Sequence, residues 1–251
     1  MAFFGGKMFK IIVTTFNSEK WIEKSLRSIQ AQTVKDFSCM FVDDASTDNT
    51  YKRGALAVVG DKRFKFMRND HNKKQMYSIA LGIMALEPAD QDVMVQIDGD
   101  DWLKHEKVLE RVKREYDNGA WLTYGQFEYY PSGKLGPCGA YPPQILKNRD
   151  FRKYKWIGSH LKTFKYFLFK RINTKDFLDD KGKWLTSAAD MAFMFPMLEM
   201  AGPWISFIPD VLYIYNKANP LRRDKVALGD QLRCDKLIRA RPKYPLLGKA
   251  K

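Results

Sequence analysis

The chain has 251 residues, of which 45% are hydrophobic, 29% charged and 14% aromatic, a composition that sets aside global disorder and a long array of domains. Lys and Arg number 43 against 29 Asp and Glu, a formal charge of +14. That excludes an acidic solvating protein and favours anionic partners: nucleotides, phosphorylated substrates, nucleic acid or anionic lipid.

The elements follow in order. Phe9 to Thr14 is a β-branched strand run, and Ser18 to Ala31 a helix with Ile22, Leu26 and Ile29 on one face and Asn17 as its N-cap. Phe37 to Val42 is a second strand ending in Asp43-Asp44, followed by a short helix over Thr50 to Val59. Phe64 to Met67 is a third strand and Lys74 to Leu86 a helix. Val93 to Ile97 is a fourth strand, stopped by Asp98-Gly99-Asp100-Asp101, and Trp102 to Tyr116 reads as helix. The second half is less regular. Trp121 to Tyr130 reads as a strand, Gly136 to Pro143 as loop, Ser187 to Ala201 as an apolar helix, and Ile205 to Tyr215 as a strand pair or one bent strand. Two basic stretches frame that helix: residues 147–183 hold 12 Lys and Arg against 4 Asp, and residues 217–251 hold 11 against 3. No repeat or long linker interrupts the chain, which predicts one domain over 1–220 and a basic helical extension over 221–251.

No run approaches the ~18 apolar residues needed to span a bilayer. The 12 residues through Ile12 are too short for a signal peptide ahead of the first strand. Cys39, Cys138 and Cys234 are widely separated and fit neither a disulfide framework nor a zinc site. A cytoplasmic location is expected, with peripheral membrane attachment open. Phe151 to Ile172 carries Trp156, Phe164, Phe167, Leu168 and Phe169 among lysines. It reads either as an amphipathic stretch for an anionic membrane surface or as the lining of an acceptor groove. No helix-turn-helix, zinc-finger or RNP-type motif supports nucleic acid as a partner.

Alternating strands and helices with near-continuous apolar strands predict a mainly parallel sheet covered on both faces. Ligands of such sheets sit beyond the carboxyl ends of the strands. Asn17, Asp43, Asp44, Asp98 and Asp100 all fall there, so one rim gathers them. Carboxylates are the natural ligands of a hard cation such as Mg²⁺ or Mn²⁺, usually shared with substrate phosphates. The bland reading of Asp98-Gly99-Asp100 is a polar turn. Asp43 or Asp44 is a candidate acceptor for a base N–H or a ribose hydroxyl, and the sequence does not choose between them. Arg68, Lys73 and Lys74 flank the third strand, either as a solvated face or as diphosphate contacts at a helix start. Asp190, at the start of the apolar helix, reads as a cap or as a general base.

Ile11 to Asn17, Phe41 to Asp48 (Phe-Val-Asp-Asp-Ala-Ser-Thr-Asp) and Gln96 to Trp102 (Gln-Ile-Asp-Gly-Asp-Asp-Trp) resemble, in order and spacing over Phe9 to Tyr116, the family 2 glycosyltransferases of the GT-A fold. The resemblance implies a nucleotide-sugar donor half over 1–116 and an irregular acceptor half over 117–220. It implies inverting transfer of a sugar from a nucleoside diphosphate donor, a UDP-sugar by family weight, to a hydroxyl of a glycan or other acceptor. Thr15, Asn17 and Asp43 or Asp44 would surround the nucleoside. Asp98 would face the ribose and the metal, and Asp100 the Mn²⁺ or Mg²⁺. Ala189-Asp190 stands where the family carries Glu-Asp, which makes Asp190 the base. Ile79-Ala80 replaces an Arg-Asn pair, leaving that donor contact to Lys73 or Lys74, and Asn219 stands near the place of a late histidine. Arg222 and Arg223 would add charge stabilisation to the leaving group or form a solvated basic patch. Trp121, Tyr124, Gln126, Trp156, His160 and Trp184 are acceptor-side candidates, with core packing as the alternative for the aromatics. Two competing functions are a nucleotide-sugar or glycan binding module without turnover and a sugar nucleotidyltransferase. Against the latter, no glycine-rich loop follows the first strand, and against a dinucleotide oxidoreductase there is no G-x-G-x-x-G there.

Overall fold

The structure is a computed structural model that describes residues 9–221 and 227–248. Its frame is an eight-stranded sheet. The strands are β1 (Phe9–Thr15), β2 (Phe37–Asp43), β3 (Phe64–Arg68), β4 (Val93–Asp98), β5 (Trp102–Leu103), β6 (Leu122–Tyr130), β7 (Lys162–Lys165) and β8 (Ile205–Asn216), in spatial order β3-β2-β1-β4-β7-β6-β8-β5. The first four strands pair in parallel, β7 runs antiparallel between β4 and β6, and β6 and β8 are parallel.

Period-2 alternation divides the apolar strand residues between two cores. Phe9, Ile11, Val13, Cys39, Phe41, Val95 and Ile97 face α1 (Ile22–Gln30), α2 (Thr50–Ala57) and α4 (Val108–Asp117). Ile12, Met40, Val42 and Met94 face α3 (Gln75–Ala85) and α7 (Ala189–Ala201). On that face also lie α5 (Pro143–Asn148), α6 (Tyr166–Phe169) and α8 (Leu228–Arg239). The α7 helix is apolar except for Asp190 and Glu199, and every residue of it but Asp190 is buried, which is why its apolar residues are not confined to one face.

Three sequence expectations are corrected, and one open alternative is resolved. Trp102 and Leu103 form a short strand paired with Ile214 and Tyr213, and the helix starts only at Val108. Asn17 does not cap α1, whose N-cap position is Trp21; Asn17 takes φ 51° and binds the β2–α2 loop instead. Of the strand pair or bent strand expected over Ile205 to Tyr215, the structure shows one strand, Ile205–Asn216, with a register shift against β6 at Gly125 to Phe127. The amphipathic-surface reading of Phe151 to Ile172 fails because its apolar side chains point inward. Phe164, Leu168 and Phe169 belong to the core, Trp156 packs on Phe195, and Phe167 on Trp121. A lysine-rich run looks amphipathic in sequence, but here it supplies an interior strand. The cysteines are free, as expected from their spacing. Among the described residues no helix is long and apolar enough to cross a membrane.

Candidate active site

At the carboxyl ends of β1, β2 and β4 lies a cavity of about 300 Å³. Eight of the candidate site residues singled out from sequence line it: Thr15, Asp44, Lys74, Asp98, Asp100, His160, Asp190 and Asn219. Asn17 and Asp43 do not, and Arg222 and Arg223 lie outside the described residues.

The two neighbouring carboxylates after β2 have different surroundings. Asp43 is fully buried and holds Ser46 through its backbone N–H and its hydroxyl, with Arg68 Nε 3.1 Å away. Burial raises its proton affinity, and the contacts with Ser46 and Arg68 oppose that rise. Asp44 reaches the other way. It accepts from the backbone N–H groups of Lys73 (2.8 Å) and Lys74 (2.9 Å) and from Asn69 Nδ2 (2.7 Å), so it shapes the loop that enters α3. Lys74 takes φ 74° there, directly before the first turn of α3. Lys73 points to Asp70 rather than into the cavity.

The Asp98–Asp101 turn is held against the end of β1. Gly99 donates its N–H to the Thr14 carbonyl, and a Cβ at Gly99 would fall 2.4 Å from Thr15 Cβ. Only glycine permits that approach. Asp98 Oδ1 accepts from Gln75 Nε2 (2.6 Å) and Gln96 Nε2 (2.7 Å). Asp100 Oδ2 accepts from Asn219 Nδ2 at 2.7 Å, while Asn219 Oδ1 takes the Leu221 N–H. Asn219, the residue near the place of a late histidine, therefore orients Asp100. Asp101 is buried and accepts from the Asn216 N–H. Burial pushes its carboxyl well up, reinforced by Asp100 and Asp98. Burial also raises Asp98, opposed by Lys162. Hard oxygen donors crowded until they repel one another fit a divalent cation, which would relieve that repulsion. Among the described residues, Asp98, Asp101 and His160 also present ligand-type atoms within 4.8 Å of one another.

Asp190 sits in the first turn of α7, one residue past Ala189, and its Oδ1 accepts from the Met191 N–H. The preceding Ala188 is left-handed at φ 55°, which turns the chain sharply into the helix. Thr186 and Ser187, just upstream, both donate to Asp230 of α8.

Four buried polar atoms of the lining have no hydrogen-bond partner among the described residues: Thr14 Oγ1, Thr15 Oγ1, Asn72 Oδ1 and Gln231 Oε1. Sequence reasoning missed Gln75, Gln96, Lys162 and Gln231. Gln96 left a signal as the one amide inside the apolar run of β4. Lys162 and Gln231 left none, because their placement depends on contacts remote in sequence. Of the acceptor-side aromatics, Trp121 stacks on Trp204, Tyr124 is core, Trp156 packs on Phe195, and Trp184 meets Tyr77 and Phe177. None of these four lines the cavity, nor does Gln126.

A family model for glycosyl transferase family 2 matches residues 10–177, and the chain belongs to that family. A curated relative, the GalNAc(5)-diNAcBac-PP-undecaprenol beta-1,3-glucosyltransferase of Campylobacter jejuni, is 25% identical over 189 residues, 73% of this chain and 60% of its own. The UDP-Glc:alpha-D-GlcNAc-diphosphoundecaprenol beta-1,3-glucosyltransferase WfgD of Escherichia coli is 26% identical over 55% of this chain and 53% of its own. The chain thus spans less than two thirds of either relative. Among solved structures, S. aureus TarS 1–349 in complex with UDP superposes with a TM-score of 0.62 at 20% identity, covering 84% of this chain and 61% of that one. The Pyrobaculum calidifontis mannosyltransferase PcManGT, in complex with GDP-Man and Mn²⁺, gives 0.57 at 20% identity, covering 87% and 59%. At that identity the likeness establishes the fold, GT-A, as expected from the sequence.

Proposed function

We propose that this protein transfers a sugar, with inversion, from a nucleoside diphosphate sugar to a hydroxyl of a glycan. The observation that carries the reading is the cavity itself. It sits at the carboxyl rim of a parallel sheet, with Asp44, Asp98, Asp100 and Asp190 on its walls and four unpartnered buried polar atoms around it. Each such atom costs about 1–3 kcal/mol when nothing pairs with it. Together they call for a polar ligand with many hydrogen-bonding groups.

In this reading Thr15 and Asp44 hold the nucleoside, and Lys74 stands beside the diphosphate at the start of α3. Asp98 and Asp100 would hold Mg²⁺ or Mn²⁺, which when bound supplies Lewis-acid charge for the leaving diphosphate. Asp190 takes the proton of the acceptor hydroxyl as its oxygen bonds to the anomeric carbon. The bond from that carbon to the phosphate oxygen breaks, and the nucleoside diphosphate departs with the electron pair. Arg222 and Arg223 are assigned to the same leaving group. UDP is the first donor nucleotide to try. The names of the two glucosyltransferase relatives put lipid-diphosphate-linked glycans first among acceptors.

The test is Asp190→Asn. Transfer is expected to fall about 10²–10⁴-fold while the affinity for the nucleoside diphosphate stays within about twofold. Full transfer by the variant would remove Asp190 as the base. Binding of nucleotide sugars without turnover by the unaltered protein, toward any glycan acceptor, would favour a binding module instead.

A further inference from the structure

Lys162 is a basic group of the cavity that this reaction leaves unused. It lies on β7 opposite Gln96 of β4, is 1% exposed, and lines the cavity. A buried ammonium is costly unless its N–H groups find partners. Among the described residues no carboxylate oxygen comes within 4.0 Å of its Nζ, and its hydrogen-bond contact is His160 Nδ1 at 3.1 Å. An ammonium carries three donors and no acceptor, so this contact uses one and leaves two.

The contact also fixes the imidazole. A neutral ring that accepts at Nδ1 carries its proton on Nε2. Burial, and then the Lys162 charge, press His160 toward that neutral form. Tyr213 stacks on the ring at 4.4 Å and 4°, and Nε2 faces Asp98 Oδ2 at 3.9 Å. His160 thus stands between Lys162 and Asp98.

The sheet order locates the remaining ammonium donors. Thr15 and Asp44 lie on the β1 and β2 side of Asp98, and Lys162 lies on the β7 side. Asp98, Lys162 and Asp190 all line the cavity, so the three border one space. If the donor reading above holds, the transferred sugar must occupy that space, between the leaving phosphate and the base.

We infer that Lys162 is a sugar-binding residue, whose ammonium donates to a hydroxyl of the transferred sugar while its contact with His160 holds it in place. Lys162→Met and the unaltered protein should be titrated calorimetrically with UDP, UDP-glucose, UDP-N-acetylglucosamine, GDP and GDP-mannose in the presence of Mg²⁺. The expected result is that Lys162→Met keeps its affinity for the free diphosphate within about twofold and loses about tenfold or more for the matching nucleotide sugar. Equal loss for both, or loss for neither, would overturn the assignment of Lys162 and leave the donor reading standing. An unaltered protein that bound none of the five would overturn the donor reading and the inference with it. Nitrogen NMR of His160 in the unaltered protein is the second measurement, independent of whether the variant folds. It should show a His160 Nδ1 signal that the nucleotide sugar perturbs more than the diphosphate does. Equal perturbation by both nucleotides would contradict it.

Discussion

Asp43 and Asp44 show how little separates a structural carboxylate from a functional one. Adjacent side chains near a strand end leave on opposite sides, so one enters the packing and the other the cavity. Sequence alone could not choose, because the choice depends on Arg68 and Asn69, which meet them only in the fold. Asp43→Ala is expected to destabilise the fold by about 2–3 kcal/mol, since it strips Ser46 and Arg68 of their acceptor; urea unfolding would measure it. Asp44→Ala should leave global stability nearer the parent and abolish detectable diphosphate binding, by releasing the loop into α3. Equal effects on stability would contradict the division. Gly99 belongs to the same scale. The sequence reads it as one glycine of a turn, whereas its need comes from Thr15 Cβ at 2.4 Å from where its own Cβ would be. Gly99→Ala should therefore push the Asp98–Asp101 turn off β1 and weaken metal-dependent nucleotide binding about tenfold or more, read by the same titration.

The long parallel strands and their helices were legible because each carries its own period. The elements that were missed are those whose partners are distant. β5 is two residues long and exists because β8 pairs with it. β7 is four residues inside a lysine-rich run, and its burial depends on β4 and β6. The α8 helix falls within the expected helical extension and is amphipathic only weakly; what the sequence did not show is that Cys234 and Ile238 are fully buried. Its Asp230 takes the hydroxyls of Thr186 (2.6 Å) and Ser187 (2.8 Å), fixing the segment that leads to Asp190. Burial raises the proton affinity of Asp230, but those hydroxyls and Arg233 outweigh it and bring its carboxyl down to about 2 from 3.8. The sign follows: a carboxylate depressed in the fold contributes stability above about 3.8 that drains away as pH falls toward about 2. Asp230→Ala should flatten the acid-unfolding profile in that window. At neutral pH it should lower kcat for transfer more than the donor KM. Asp230→Asn, which keeps an acceptor oxygen, should restore part of kcat but not the acid dependence. An unaltered acid profile in Asp230→Ala would contradict the clamp.

Across the whole molecule, the C-terminal residues close on α7 in the acceptor half through buried charge. Glu199 of α7 is fully buried and takes Arg152 Nε (2.7 Å) and Nη2 (3.0 Å). Arg152 also donates to the Ile238 carbonyl, and the Tyr244 N–H donates to Glu199 Oε2. Glu199→Ala leaves a buried guanidinium unpaired and should cost about 3–5 kcal/mol, with loss of protection in α8 by hydrogen exchange. Exchange in α8 equal to the parent's would contradict this coupling. The sequence disclosed that the strand ends converge, which is why most of the predicted rim residues line the cavity. It disclosed neither this closure, which depends on side chains meeting across 40 or more positions, nor the lysine beneath the rim, which depends on the pairing of β7 with β4. The central claim is that the rim carboxylates bind a nucleoside diphosphate sugar together with a divalent cation. Its most direct measurement is a thermal shift with UDP or GDP, with and without Mn²⁺, on the unaltered protein and on Asp100→Ala. The account expects a rise in Tm that needs both nucleotide and Mn²⁺ and vanishes in the variant. No rise with either nucleotide, or the same rise in Asp100→Ala, would contradict it.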